Sequence, residues 1–89
     1  DETVFLDGYP GKYCVLARRH GDCWYVVGVN AQKEPLKLSL NLPMWEKGET
    51  VSYYLDDKKR QPQLEVLKIK NPTEVKVVIQ PDGGIILTK

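Results

Sequence analysis

The chain has 89 residues, with 13 Lys+Arg against 12 Asp+Glu and a formal net charge of +1. That length supports one domain with a modest core, burying roughly 60–65% of the surface exposed by the unfolded chain. The near-neutral balance argues against nucleic acid, which needs a concentrated basic face, and no apolar run approaches the ~20 residues of a membrane span. The single basic run, Lys58-Lys59-Arg60, follows Asp56-Asp57 directly and is largely offset by them.

The chain opens Asp1-Glu2-Thr3, carries no signal-peptide pattern, and has Met44 as its only methionine. It is therefore expected to be a piece of a longer polypeptide whose active part lies elsewhere. Residues 1–11 read as a linker and first strand, and residues 12–89 as one folded unit.

Period-two patterning dominates after the first dozen residues. Lys12 to Arg18 and Cys23 to Val29 read as a hairpin whose loop is His20-Gly21. In that register Cys14 faces Val27 and Cys23 faces Arg18, which separates the thiols by on the order of 13 Å along the ladder. A disulfide needs Cα atoms within about 7 Å, so both cysteines are expected to be free. Six extended residues also put Cys14 about 20 Å from the turn, too far to share a zinc ion with His20 and Cys23.

Leu36-Lys37-Leu38-Ser39-Leu40-Asn41-Leu42 alternates strictly, which lines the leucines along one face of a strand and would scatter them around a helix. Pro43 removes a backbone donor, and Met44 to Gly48 form a connecting loop. Glu49 to Asp56 follow as a strand with Val51, Tyr53 and Leu55 on one side. Asp57 to Pro62 are charged and irregular. Leu64 to Lys70 and Glu74 to Gln80 are two more strands, joined by Asn71-Pro72-Thr73. After the turn Pro81-Asp82-Gly83-Gly84, Ile85 to Thr88 close the chain. About seven strands with regular turn signals and no convincing helix predict an all-β, antiparallel β-sandwich of Greek-key type, with a small closed barrel as the alternative.

Both faces of the opening hairpin are apolar, with Tyr13, Val15, Ala17, Trp24 and Val26 on one and Leu16, Tyr25, Val27 and Val29 on the other. A sheet with one wet face alternates. Either a loop covers the second face or that face docks on a domain outside this chain. The row of Tyr25, Val27 and Val29, with Leu16, is expected to be the core, because the opposite row ends in Gly28 and Asn30.

No Ser/His/acid set is available, and the lone histidine lies in a turn. Asp1 and Glu2 are sequence neighbours on a terminus, not two carboxyls flanking one bond, so no catalytic residue is assigned. Asp56-Asp57 lacks the rest of a calcium loop, and no metal or cofactor site is assigned. Proline in the middle of Asn71-Pro72-Thr73 rules out N-glycosylation there. The remaining candidates are aromatic. Trp24, Trp45 and Tyr54 are candidate sugar or interdomain contacts, set against the plainer expectation that a loop tryptophan plugs the open end of a sandwich.

Three pieces carry a family resemblance. Asp1-Glu2-Thr3 with Leu6-Asp7-Gly8 and Pro10-Gly11 resembles the segment by which family 97 glycoside hydrolases leave their catalytic barrel. Ala17-Arg18-Arg19, Gly21-Asp22 and Trp24-Tyr25-Val26 with Gly28 resemble the hairpin opening their C-terminal domain. Gly83-Gly84-Ile85-Ile86-Leu87 is similar to the last strand of such a sandwich. The resemblance implies a C-terminal accessory β-sandwich, non-catalytic, packed on a (β/α)8 barrel of the same polypeptide. It also implies that the intact enzyme hydrolyses α-linked glucosides or galactosides, with calcium in the catalytic part and a periplasmic or secreted bacterial location. Two alternatives stand beside it: an independent carbohydrate-binding module, and an immunoglobulin-like protein-interaction domain, which the missing Cys…Trp…Cys set disfavours.

Overall fold

The computed structural model describes residues 2–56 and 61–89. These form eight strands: β1 (Glu2–Tyr9), β2 (Tyr13–His20), β3 (Cys23–Asn30), β4 (Leu36–Leu40), β5 (Thr50–Asp56), β6 (Pro62–Lys68), β7 (Val75–Ile79) and β8 (Gly84–Thr88). Six pair antiparallel in the order β1-β2-β3-β8-β5-β6, and β4 pairs with β7 in a second, two-stranded sheet. The chain crosses between sheets after β3, β4, β6 and β7, so β8 inserts between β3 and β5. The expected sandwich is the observed architecture, with one strand more than the pattern suggested. Residues 2–9 pair with β2 along their length, with a register shift between Phe5 and Asp7. Of the irregular stretch read at 57–62, residues 57–60 lie outside the described residues.

The core lies between the two sheets. Val15, Ala17, Val26, Val51, Tyr53, Ile85 and Leu87 from the large sheet meet Leu40, Val75, Val77 and Ile79 from the small one. The alternating leucines behave as expected: Leu36 and Leu38 are half-buried and Leu40 and Leu42 buried, while Lys37, Ser39 and Asn41 are exposed. Trp45 closes one end of the sandwich at 3% exposure. Tyr53 pins the sheets together polarly as well, because its hydroxyl donates to the Val78 carbonyl at 3.1 Å and accepts from the Val78 N–H at 3.2 Å. Burial pushes this phenol above its ordinary pKa.

Two expectations for the opening hairpin are corrected. The loop is Gly21-Asp22, one residue later than expected, with His20 opposite Cys23 and Cys14 opposite Val29. Gly21 has φ +62 and takes the first loop position, where a left-handed backbone costs glycine little. The thiols lie further apart along the ladder than the expected register implied, and both are free.

The second correction is the choice of core face. Val15, Ala17, Val26, Gly28 and Asn30 face inward, whereas Leu16, Tyr25 and Val27 are only half-buried and Val29 is 51% exposed. The residues that made this row look solvent-facing are the ones the interior needs. A Cβ on Gly28 would sit 3.0 Å from Ile79 Cδ1 and 3.1 Å from Ile85 Cγ1, so the missing side chain lets the second sheet approach. Asn30 is 1% exposed and fully bonded. Its Nδ2 donates to the carbonyls of Glu34 at 2.9 Å and Ile79 at 3.1 Å, and its Oδ1 accepts from the Gln32 N–H at 2.9 Å.

Candidate interdomain surface

The outward face of the six-stranded sheet carries an apolar row that crosses all six strands in register. Phe5 pairs with Leu16, Leu16 with Val27, Val27 with Ile86, Ile86 with Tyr54 and Tyr54 with Leu64. Directly paired residues in an antiparallel sheet share a face, so the six side chains line up across it. Phe5 at 63%, Leu64 at 59% and Tyr54 at 45% are exposed in this chain, as are Ile86 and the neighbouring Val29 and Val66. An antiparallel sheet with one wet face puts polar residues here. This sheet puts hydrocarbon on both sides.

The β1–β3 end of the row is concave. Gly8 has no side chain, and a Cβ there would meet the Phe5 ring at 3.0 Å, so the ring folds back over the backbone of its own strand. Beside it opens a groove of about 380 Å³ lined by Phe5, Tyr9, Pro10, Cys14, Val29 and Ala31. The ammonium of Lys12 stands 4.8 Å from the centre of the Tyr9 ring at its rim. Asp7 holds the polar edge: its Oδ1 accepts from the Gly8 N–H at 2.8 Å and from the Tyr13 hydroxyl at 3.3 Å. Burial of Tyr13, with the Asp7 carboxylate beside it, raises that phenol's pKa.

The three aromatic candidates fall in two places. Trp24 and Trp45 come together at one end of the sandwich, beside Asp22, Cys23, Glu49 and Lys89 in an open groove of about 370 Å³. Trp45 is buried there and packs as core. Trp24 is half-buried, with the Arg19 guanidinium 6.0 Å from its ring centre. Lys89 donates to Glu49 Oε1 at 2.9 Å, and this bond holds the Glu49 carboxyl below its usual pKa. Tyr54 lies elsewhere, in the outward apolar row, opposite Ile86 and Leu64. Sequence reasoning missed Phe5, Leu64 and Val66 as members of the surface. The available signal was apolar residues alternating with Gln63 and Glu65 in the edge strand β6.

Among the described residues no three His, Cys, Asp or Glu side chains are grouped to hold a metal ion. Asp57 of the weak calcium pair lies outside the described residues, and Asp56 Oδ2 accepts from the Gly84 N–H at 3.4 Å. No helix among the described residues is long and apolar enough to cross a membrane.

The fold is a small two-sheet sandwich with a continuous apolar outer face, and large exposed apolar patches on small domains usually mark interaction surfaces. Residues 1–88 match the family described as glycosyl-hydrolase 97 C-terminal, oligomerisation, and the chain belongs to that family as its non-catalytic C-terminal domain. It is 31% identical over 93 residues to a retaining alpha-galactosidase of Bacteroides thetaiotaomicron, covering 98% of this chain and 14% of the relative. A solved beta-arabinopyranosidase superposes with a TM-score of 0.92 at 58% identity, over 100% of this chain and 14% of its own. A glycoside hydrolase family 97 enzyme from Pseudoalteromonas sp. strain K8, solved with panose, superposes with a TM-score of 0.76 at 19% identity. That likeness covers 98% of this chain and 15% of the other and shows a shared fold. The chain thus spans about a seventh of the proteins it matches.

Proposed function

We propose that this domain packs against the catalytic (β/α)8 barrel of its own polypeptide through the β1–β3 end of its outer face, covering apolar surface there and stabilising the enzyme. The observation that carries the reading is the in-register Phe5–Leu16–Val27 segment, Phe5 exposed and the other two half-buried, with its adjoining groove. Burying a phenylalanine side chain is worth about 1.5–3 kcal/mol, and solvent leaves that stabilisation unused. Proximity supports the assignment too: the rest of a polypeptide in which this is the C-terminal domain attaches next to β1.

For the intact enzyme, the relatives' names support hydrolysis of a pyranoside of galactose or arabinose type more directly than of an α-glucoside. The chemistry resides in the barrel. The carbohydrate-binding alternative is less well supported, because Trp45 is used as core and Tyr54 sits in a hydrocarbon row with no second exposed ring opposite it.

The test is Phe5→Asp in the intact polypeptide, assayed with nitrophenyl galactoside and nitrophenyl arabinoside after heating. Thermal inactivation is expected a few degrees lower than in the parent, with kcat/KM at 25 °C unchanged. An unchanged inactivation temperature would contradict packing through this face.

A further inference from the structure

We propose that the opposite margin of the same sheet, strand β6, is where two copies of the polypeptide meet, β6 of one lying antiparallel to β6 of the other. This rests on reading the domain as a contact module and adds a second partner on a separate surface. The polarity of β6 is inverted for a strand at the rim of a sandwich. Gln63 and Glu65, opposite Leu55 and Tyr53, take the side that leads to the core, yet both are exposed beyond the cover of the second sheet. The outward positions are Leu64 and Val66, and Val66, at 77%, is the most exposed large hydrophobic among the described residues.

No described strand lies beyond β6, which runs for seven residues as the last of its sheet. Exposed edges are usually blunted by charge, proline or a bulge. Here Pro62 and Lys68 stand only at the ends, Glu65 points to the other face, and the pairing with β5 runs from Thr50 to Asp56 without a shift in register. The other margin, β1, does carry such a shift. The two margins therefore differ, and β6 is the one left open and regular.

A second copy is the occupant that fits. The family this chain belongs to is described by oligomerisation. The surface assigned to the barrel ends at β3, three strand spacings or about 14 Å from β6, so both contacts can be made at once. A two-fold axis brings a strand against its own copy in the antiparallel sense, which continues the existing sheet and turns Leu64 and Val66 of each copy into neighbours of the other's.

The experiment uses the intact polypeptide with Leu64→Glu and Val66→Glu combined, examined by sedimentation velocity at micromolar concentration. The parent is expected to be a dimer or larger assembly and the variant to fall to half its mass, with kcat/KM at 25 °C as in the parent. A monomeric parent, or a variant that keeps the parent mass, overturns the proposal. Independently, single cysteines placed in turn at positions 62 to 68 in a Cys14→Ser, Cys23→Ser background are expected to give a covalent dimer on oxidation at the position nearest the two-fold axis, and an oligomer that cross-links at none of them also overturns it. Phe5→Asp reports on the barrel contact separately, because it is expected to lower heat resistance without changing the assembly's mass.

Discussion

The carboxamide of Asn30 joins backbone segments through atoms that no aliphatic side chain supplies. It donates to carbonyls at Glu34 and at the end of β7, and accepts from the loop N–H of Gln32, in a site almost closed to water. Replacing it by alanine removes the donor from the buried Ile79 carbonyl and the partners from the partly buried groups of Glu34 and Gln32, and a buried group left unsatisfied costs about 1–3 kcal/mol. We expect Asn30→Ala to lower the unfolding free energy by about 2–3 kcal/mol, read from urea unfolding followed by tryptophan fluorescence. Asn30→Asp is expected to be at least as damaging, since a carboxylate oxygen then faces carbonyl oxygens. A midpoint within error of the parent would show the network to be dispensable. A single sequence does not display this role: an asparagine after a strand is most simply a turn residue, and only the crossing of β7 beside it makes its burial worthwhile.

Strands were the most legible feature, because alternation is local. Leu36 to Leu42, Val51 to Leu55 and the last strand announce both their type and their buried face. The opening hairpin announces its type only. With apolar residues on both faces, alternation has no sign, and the choice fell to Gly28 and Asn30, which mislead for the same reason they are needed: one makes room and the other makes hydrogen bonds. The expected register also slipped, because His20-Gly21 and Gly21-Asp22 are both acceptable two-residue loops in composition. Gly28 offers the element-scale test. A valine there presses on Ile79 and Ile85, and overpacking of this kind costs about 1–3 kcal/mol. Gly28→Val is expected to destabilise by that amount, and Val29→Thr, one residue on and facing outward, to be close to neutral in this chain. Equal effects at the two positions would mean that the assigned core face is wrong.

For the whole molecule, the two faces of the large sheet have different obligations. The inner one is satisfied within the chain by β4, β7 and Trp45. The outer one is satisfied by nothing among the described residues, and its hydrocarbon is continuous from Phe5 to Leu64. The candidate surface was legible only in part: doubled apolarity in one hairpin pointed to a docking face, but its extension to β1, β5 and β6 needs the pairing registers, which no local pattern contains. Hydroxyl-radical footprinting of the unmodified intact polypeptide tests the central claim most directly, since phenylalanine and tyrosine oxidise readily when wet. The account predicts that Phe5 and Tyr9 are protected, while Cys23, exposed at the end of the sandwich, reacts freely. Oxidation of Phe5 and Tyr9 at the rates their exposure in this chain implies would contradict it.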